Sequence, residues 1–141
     1  MKVPEVLRRP KDLRKEMERK QMRIETLRRF ARQLTAPLQE VKIKSSPDPA
    51  RFQALLAEAA DEEKDLKRLE AEHTQAVTEA VLAFSALPDE RMIRMMELRY
   101  LEERSWEEIA QELWISQSRM FKLHRAAVAA LCSNEQLTMN N

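Results

Sequence analysis

The stretch SWEEIAQELWISQSRMFKLHR, residues 105–125, decides how the rest of the chain is read. Ser105 stands three residues before Glu108, the spacing of a capping box. In that box the serine side chain accepts the Glu108 amide, and the glutamate reaches back to the amide of Ser105. The helix it opens, Trp106 to Leu113, is short, and Ile109, Ala110 and Leu113 fall on one face. The small side chain at 110 lets a second helix cross closely. Trp114 and Ile115 form a turn, and Ser116 supplies a fresh cap. A third helix then runs from Gln117 to about Leu131, with Met120, Leu123, Ala127, Val128 and Leu131 on its buried side. Two capped helices joined by so short a turn, with a small residue at the crossing, make a helix-turn-helix.

The chemistry of the third helix points to duplex DNA as partner. No acidic residue lies between Glu112 and Glu135, whereas Arg119, Lys122 and Arg125 do. Gln117 suits bidentate contact with adenine, Lys122 and Arg125 suit guanine, and Phe121 suits a thymine methyl. Ser116, Ser118 and Arg119 sit at the helix start, where amides and short side chains hold phosphate. The candidate DNA-binding set is therefore Ser116, Gln117, Ser118, Arg119, Phe121, Lys122 and Arg125. The competing reading is a small helical bundle whose basic helix simply faces solvent.

Working outward, the 141 residues contain no glycine, six prolines and 35% charged residues, and they lack strand-like runs. Good helix formers dominate, so the fold class is all-α. Pro4 and Pro10 argue against a helix through the first ten residues, and a first helix is expected from near Lys11 to before Pro37. Leu13, Met17, Ile24, Leu27, Ala31 and Leu34 form its apolar stripe, with Lys20 in one slot. Residues 35–49 read as a connector, with Val41 and Ile43 as possible core contacts, Asp48 as a cap and Pro49 as a first helical residue. A second long helix runs to Ser85 on Phe52, Leu55, Ala59, Leu66, Leu69, His73, Ala76, Ala80 and Ala83, with Glu62 the exception. Val77, Val81 and Phe84 widen that stripe.

Residues 1–34 carry a net charge of +7 and residues 50–90 a net charge of −6. Matching stripes and opposite charge suggest a long antiparallel hairpin, and a seam between two copies fits the stripes equally. The basic residues from Arg8 to Arg32 are read first as partners of the acidic helix and second as extra phosphate contacts. The scattered glutamates from Glu58 to Glu79 read as a solvated face. After the break at Leu87-Pro88-Asp89, a short helix from Arg91 to Leu101 offers Met92, Met95, Met96, Leu98 and Tyr100 as core filling. The expected division is a helical hairpin over 1–86 and a helix-turn-helix domain over 87–141.

Leu87-Pro88 through Leu131 resembles region four of bacterial sigma factors, which reads the −35 promoter element. The match is carried by Glu97-Leu98-Arg99-Tyr100-Leu101-Glu102, Ser105 to Ala110, Ile115 to Ser118 and Phe121 to Ala126. From about residue 12 to 131 the chain is similar to small phage and prophage transcriptional regulators of the autolysin-regulator (ArpU) type. That resemblance implies sequence-specific DNA binding, with RNA polymerase as a possible second partner and homo-oligomerisation through the long helices. Such families usually place glycine where Trp114 stands, and often where Glu103 stands. Either the turn takes another geometry here, or Trp114 is held left-handed by packing, at roughly 1–2 kcal/mol.

Two other readings compete. One is a DNA-packaging protein of the small terminase type, and the other is a protein-interaction module that binds polymerase without DNA. An enzyme is not expected, because no nucleophile elbow, phosphate-cradling glycine loop or metal-ligand spacing is visible. His73 has no second ligand at metal spacing, and His124 reads as a phosphate or core contact. No cofactor or metal is expected. The lone Cys132 reads as packing beside Leu131. No apolar run approaches the ~20 residues of a membrane span, and the start lacks an apolar signal core, so a cytoplasmic protein is expected; the resemblance to phage and prophage regulators implies a bacterial host.

Overall fold

The computed structural model describes residues 2–40 and 49–139, with side chains for 2–34 and 49–135. Among these the fold is all-α, with five helices: α1 (Val3–Glu40), α2 (Pro49–Ser85), α3 (Glu90–Tyr100), α4 (Trp106–Leu113) and α5 (Gln117–Met139). No helix among the described residues is long and apolar enough to cross a membrane. The candidate contacts Val41 and Ile43 and the cap Asp48 lie outside the described residues.

α1 begins eight residues before the expected start, because the apolar stripe continues through the prolines. Val3, Pro10 and Leu13 are buried, and Val6 and Leu7 are half-buried. Pro4 lies in the first turn, where an amide has no intrahelical acceptor. Pro10 does forfeit a bond, to the carbonyl of Val6, at a helix-interior cost of about 3 kcal/mol. Burying Val3, Val6 and Leu7 offsets that, at roughly 1.5–3 kcal/mol for each side chain fully removed from water. At its other end α1 runs past Pro37 to Glu40 instead of stopping short of it. Pro37 too removes one donor while its ring keeps φ near the helical value. α5 likewise outruns its expected end at Leu131, since residues 126–139 contain neither proline nor glycine. Cys132 is exposed, not packed. It lies one helical step of about 100° from buried Leu131, which carries it off the apolar face.

The chain packs as two compact units, Met1–Leu13 with His73–Asn141 and Arg14–Glu72. In the Arg14–Glu72 unit, Ile24, Leu27 and Ala31 of α1 are buried, as are Ala59 and Leu69 of α2. The two polar exceptions in the stripes find each other. Lys20 Nζ lies 2.8 Å from Glu62 Oε2 and 2.9 Å from Asp65 Oδ2. Arg23 pairs with Glu58 at 2.9 Å, and Arg28 pairs with Glu63. Moving from Lys20 to Arg23 along α1 steps back from Glu62 to Glu58 along α2, the sense of antiparallel packing, whereas Arg28 pairs forward with Glu63. Three of the glutamates expected on a solvated face are thus salt-bridge partners of α1, and three of its cations are neutralised.

The other unit has its own core of Val3, Ala80, Phe84, Leu87, Met95, Met96, Leu98, Ile109, Ala110, Met120, Ala127 and Leu131. Met95, Met96 and Leu98 are fully enclosed, so the methionines fill core. The amide of Val3 donates to Glu135 at 3.2 Å, tying the start of α1 to α5.

Hydrogen bonds from Lys20 and Arg68 hold the Asp65 carboxyl below its ordinary value of 3.8. A depressed folded value means that its contribution is full above 3.8 and is lost as pH falls through the lower value. Lys20→Glu gathers three carboxylates at one point. It should lower the melting temperature at neutral pH, with the deficit shrinking in acid as those carboxylates protonate. Parallel circular-dichroism melts at neutral pH and near the aspartate range test this, and a neutral melt equal to the parent's would remove the pairing's role.

Candidate nucleic-acid interface

α3 starts where Asp89 Oδ1 accepts the amide of Arg91 at 2.8 Å. α4 starts at the capping box: Ser105 Oγ accepts the Glu108 amide at 3.2 Å and donates to Glu108 Oε1 at 3.1 Å. The Ser105 hydroxyl first, then Arg104, then the Ser105 amide hold the Glu108 carboxyl below its ordinary range, against desolvation. Ser116 caps α5, its Oγ accepting the Arg119 amide at 3.2 Å.

The turn between α4 and α5 closes α4 by a Schellman arrangement. Ile115 donates to the Ala110 carbonyl at 3.1 Å and Trp114 to the Gln111 carbonyl at 3.3 Å. Trp114 is left-handed, at φ 58° and ψ 41°. Packing of its side chain does not hold it there, because the residue is 92% exposed. The two carbonyl contacts and the inward-facing neighbours Leu113 and Ile115 impose the conformation. Among the described residues, Glu103, after α3, is the other non-glycine residue with positive φ, at 56°. Both places where glycine was expected by resemblance are therefore left-handed in a chain that has none.

All seven candidate residues are exposed. At about 100° per residue, Ser118, Lys122 and Arg125 point away from buried Met120, Ala127 and Leu131. Arg119 lies on one flank. Gln117 and Phe121 lie on the other, where Phe121 packs edge-on against Trp106 with ring centroids 5.5 Å apart. Arg119, Lys122 and Arg125 have no ion-pair partner among the described residues. The amides of Gln117 and Ser118, in the first turn, have no intrahelical acceptor.

One basic residue was missed. Arg91, in the first turn of α3, lines a shallow cleft of about 350 Å3 together with Arg119, Lys122 and Asp89. Only the fold brings it beside α5, and its sequence neighbours announce nothing but a helix start.

Behind α5 lies an aromatic layer. Tyr100 Oη and His124 Nε2 are 2.8 Å apart, and their rings stack at 6.0 Å. Trp106 meets His124 edge-on at 4.9 Å, and the Arg99 guanidinium lies 4.4 Å from the Trp106 ring centroid. Arg99 also donates to the Arg104 carbonyl at 3.0 Å. Burial first, and Arg99 second, hold the His124 imidazole below its ordinary 6.5, while burial raises the Tyr100 phenol above 10.0. The neutral ring and the tyrosine hydroxyl share one hydrogen bond, whose direction the imidazole tautomer sets. Of the two roles expected for His124, the geometry selects the core contact.

No family model matches the chain, and it matches no curated protein and no solved structure.

Three outcomes are expected here. Trp114→Gly removes the Cβ clash of the left-handed turn and sacrifices no buried side chain, so it should stabilise by about 1 kcal/mol. A melting temperature below the parent's would show that the indole holds the turn. For the aromatic layer, a folded imidazole value below 6.5 makes its contribution full above 6.5 and declining as pH falls beneath that. Tyr100→Phe should cost about 1 kcal/mol. His124→Gln should flatten the melting temperature's dependence on pH between about 7 and 5, and an unaltered slope there would exclude His124 as its source.

Proposed function

We propose that the chain is a sequence-specific double-stranded DNA-binding protein that regulates transcription, with α5 as the helix that enters the major groove. The observation that supports this most is the set of three unpaired cations, Arg119, Lys122 and Arg125, on the exposed face of a capped helix free of acid from residue 113 to 134. Duplex DNA presents dense negative charge, and cations that release its counterions supply much of the affinity. Ser118, Lys122 and Arg125 are the base-reading group. Ser116, Arg119, Arg91 and the open amides at the start of α5 position the duplex by its phosphates. Gln117 and Phe121 read from the flank.

The resemblance to sigma region four and to ArpU-type phage and prophage proteins supports a regulator of phage or prophage genes acting in a bacterial cytoplasm. The role is binding, not catalysis, with RNA polymerase as a second partner if the module acts at a −35-like element. The cations of α1 expected as extra phosphate contacts are discounted at Lys20, Arg23 and Arg28, which face carboxylates of α2.

Selection of bound fragments from bacterial and prophage genomes, followed by titration at several salt concentrations, tests this. Lys122→Ala and Arg125→Ala should each weaken binding and lower the salt slope by roughly 0.9 per phosphate contact removed. A base-reading residue should in addition lose discrimination at one position of the site, by roughly 1–3 kcal/mol. Unchanged affinity in both variants, or no retained fragment, would remove α5 as a DNA reader.

A further inference from the structure

Trp114 is the one large apolar side chain of the α4–α5 turn that packs on nothing, at 92% exposure. It occupies a left-handed backbone position that glycine fills without strain. The burden is not repaid inside the molecule, since Leu113 and Ile115 on either side turn inward and the indole does not follow them. Strain at an exposed aromatic residue is a reason to look for an external partner.

The surroundings name its chemistry. Trp114 is two residues before the Ser116 cap and shares the start of α5 with Gln117, Ser118 and Arg119, all polar and exposed. The nearest preceding carboxylate, Glu112, lies 3.6 Å from Arg94, which offsets its charge. A protein-binding hot spot gathers further apolar anchors around a tryptophan; here the sequence neighbours that face solvent are polar. An indole has an apolar face and a single N–H donor, suited to a sugar ring and an adjacent phosphate oxygen.

We propose that Trp114 is a DNA-contacting residue, its indole laid on the deoxyribose–phosphate backbone beside the start of α5. This rests on the DNA-binding reading above and adds to it an uncharged contact outside the cationic face. Trp114 orients the entering helix by shape, and its contact carries no counterion release.

The test uses the full chain and a fluorescein-labelled duplex, either random in sequence or selected from genomic fragments. Trp114→Gly and Trp114→Asn both accept a left-handed backbone and both lack the indole. Each should melt no lower than the parent and bind the duplex roughly tenfold more weakly, near the lower end of what loss of one aromatic stack on a single-stranded base brings. The salt slope should be unchanged, because no charge is removed. The chain has two tryptophans, so the emission of the parent minus that of Trp114→Asn isolates Trp114 from Trp106. That component should become shielded from acrylamide when duplex saturates the protein. If the parent binds duplex and both variants bind equally well, the DNA reading stands and the Trp114 contact is overturned. A weaker affinity with a shallower salt slope overturns it as well, since that reports displaced cations. Shielding by a protein partner and not by duplex assigns the residue to a protein interface and overturns it. A parent chain that binds no duplex removes both readings together.

Discussion

The amide of Ile115 donates to the carbonyl of Ala110, and the direction of α5 follows from that one closure. It ends α4 after eight residues and forces Trp114 into the left-handed region. Two residues on, Ser116 accepts the Arg119 amide in the first turn of α5. Ala110 itself is buried, so the helix that accepts the bond is pinned from beneath by its own small side chain. With Ile109 and Met120 fully enclosed, α4 and α5 have little freedom to change their crossing, because packed interiors resist even small changes in volume. The outward aim of Lys122 and Arg125 is a consequence of that crossing.

Beneath the exposed face of α5, the contact among Tyr100, His124, Trp106 and Arg99 joins α3, α4 and α5 through side chains that each combine an apolar body with a polar tip. Such groups fill space and also fix orientation, since a hydroxyl or imidazole has few satisfactory partners once half-buried. Phe121 belongs partly to this layer through Trp106. The same helix thus carries a cationic face whose side chains are uncommitted and a flank held by aromatic contacts, so the reading side is free to meet a ligand while its base stays in place.

The Arg14–Glu72 unit follows another rule. Its two stripes each contain one charged residue, and those residues meet as Lys20 with Glu62 and Asp65. Half-exposed pairs of this kind contribute little to stability. Their consequence is register, because a slip of either helix leaves a lysine on an apolar stripe without a counter-charge. Cations of α1 that look available for phosphate in a list of charges are occupied by this arrangement.

Local patterns in the chain were sufficient for what depends on near neighbours. The all-α class, the bounds of α2 at Pro49 and Ser85, the caps at Asp89, Ser105 and Ser116, and the buried faces of α4 and α5 are all set by residues within one or two turns, and all are found. The early start of α1 was hidden, because Pro10 reads as a breaker until the burial of Val3, Val6 and Leu7 is known. So were the division into packing units, the pairing of Tyr100 with His124 and the place of Arg91 beside Arg119. Sequence determined which segments are helices and which faces are apolar or charged, since periodicity and capping act over a few residues. Only the tertiary structure decided which faces meet and which cations stay free, because those depend on contacts between residues far apart in the chain.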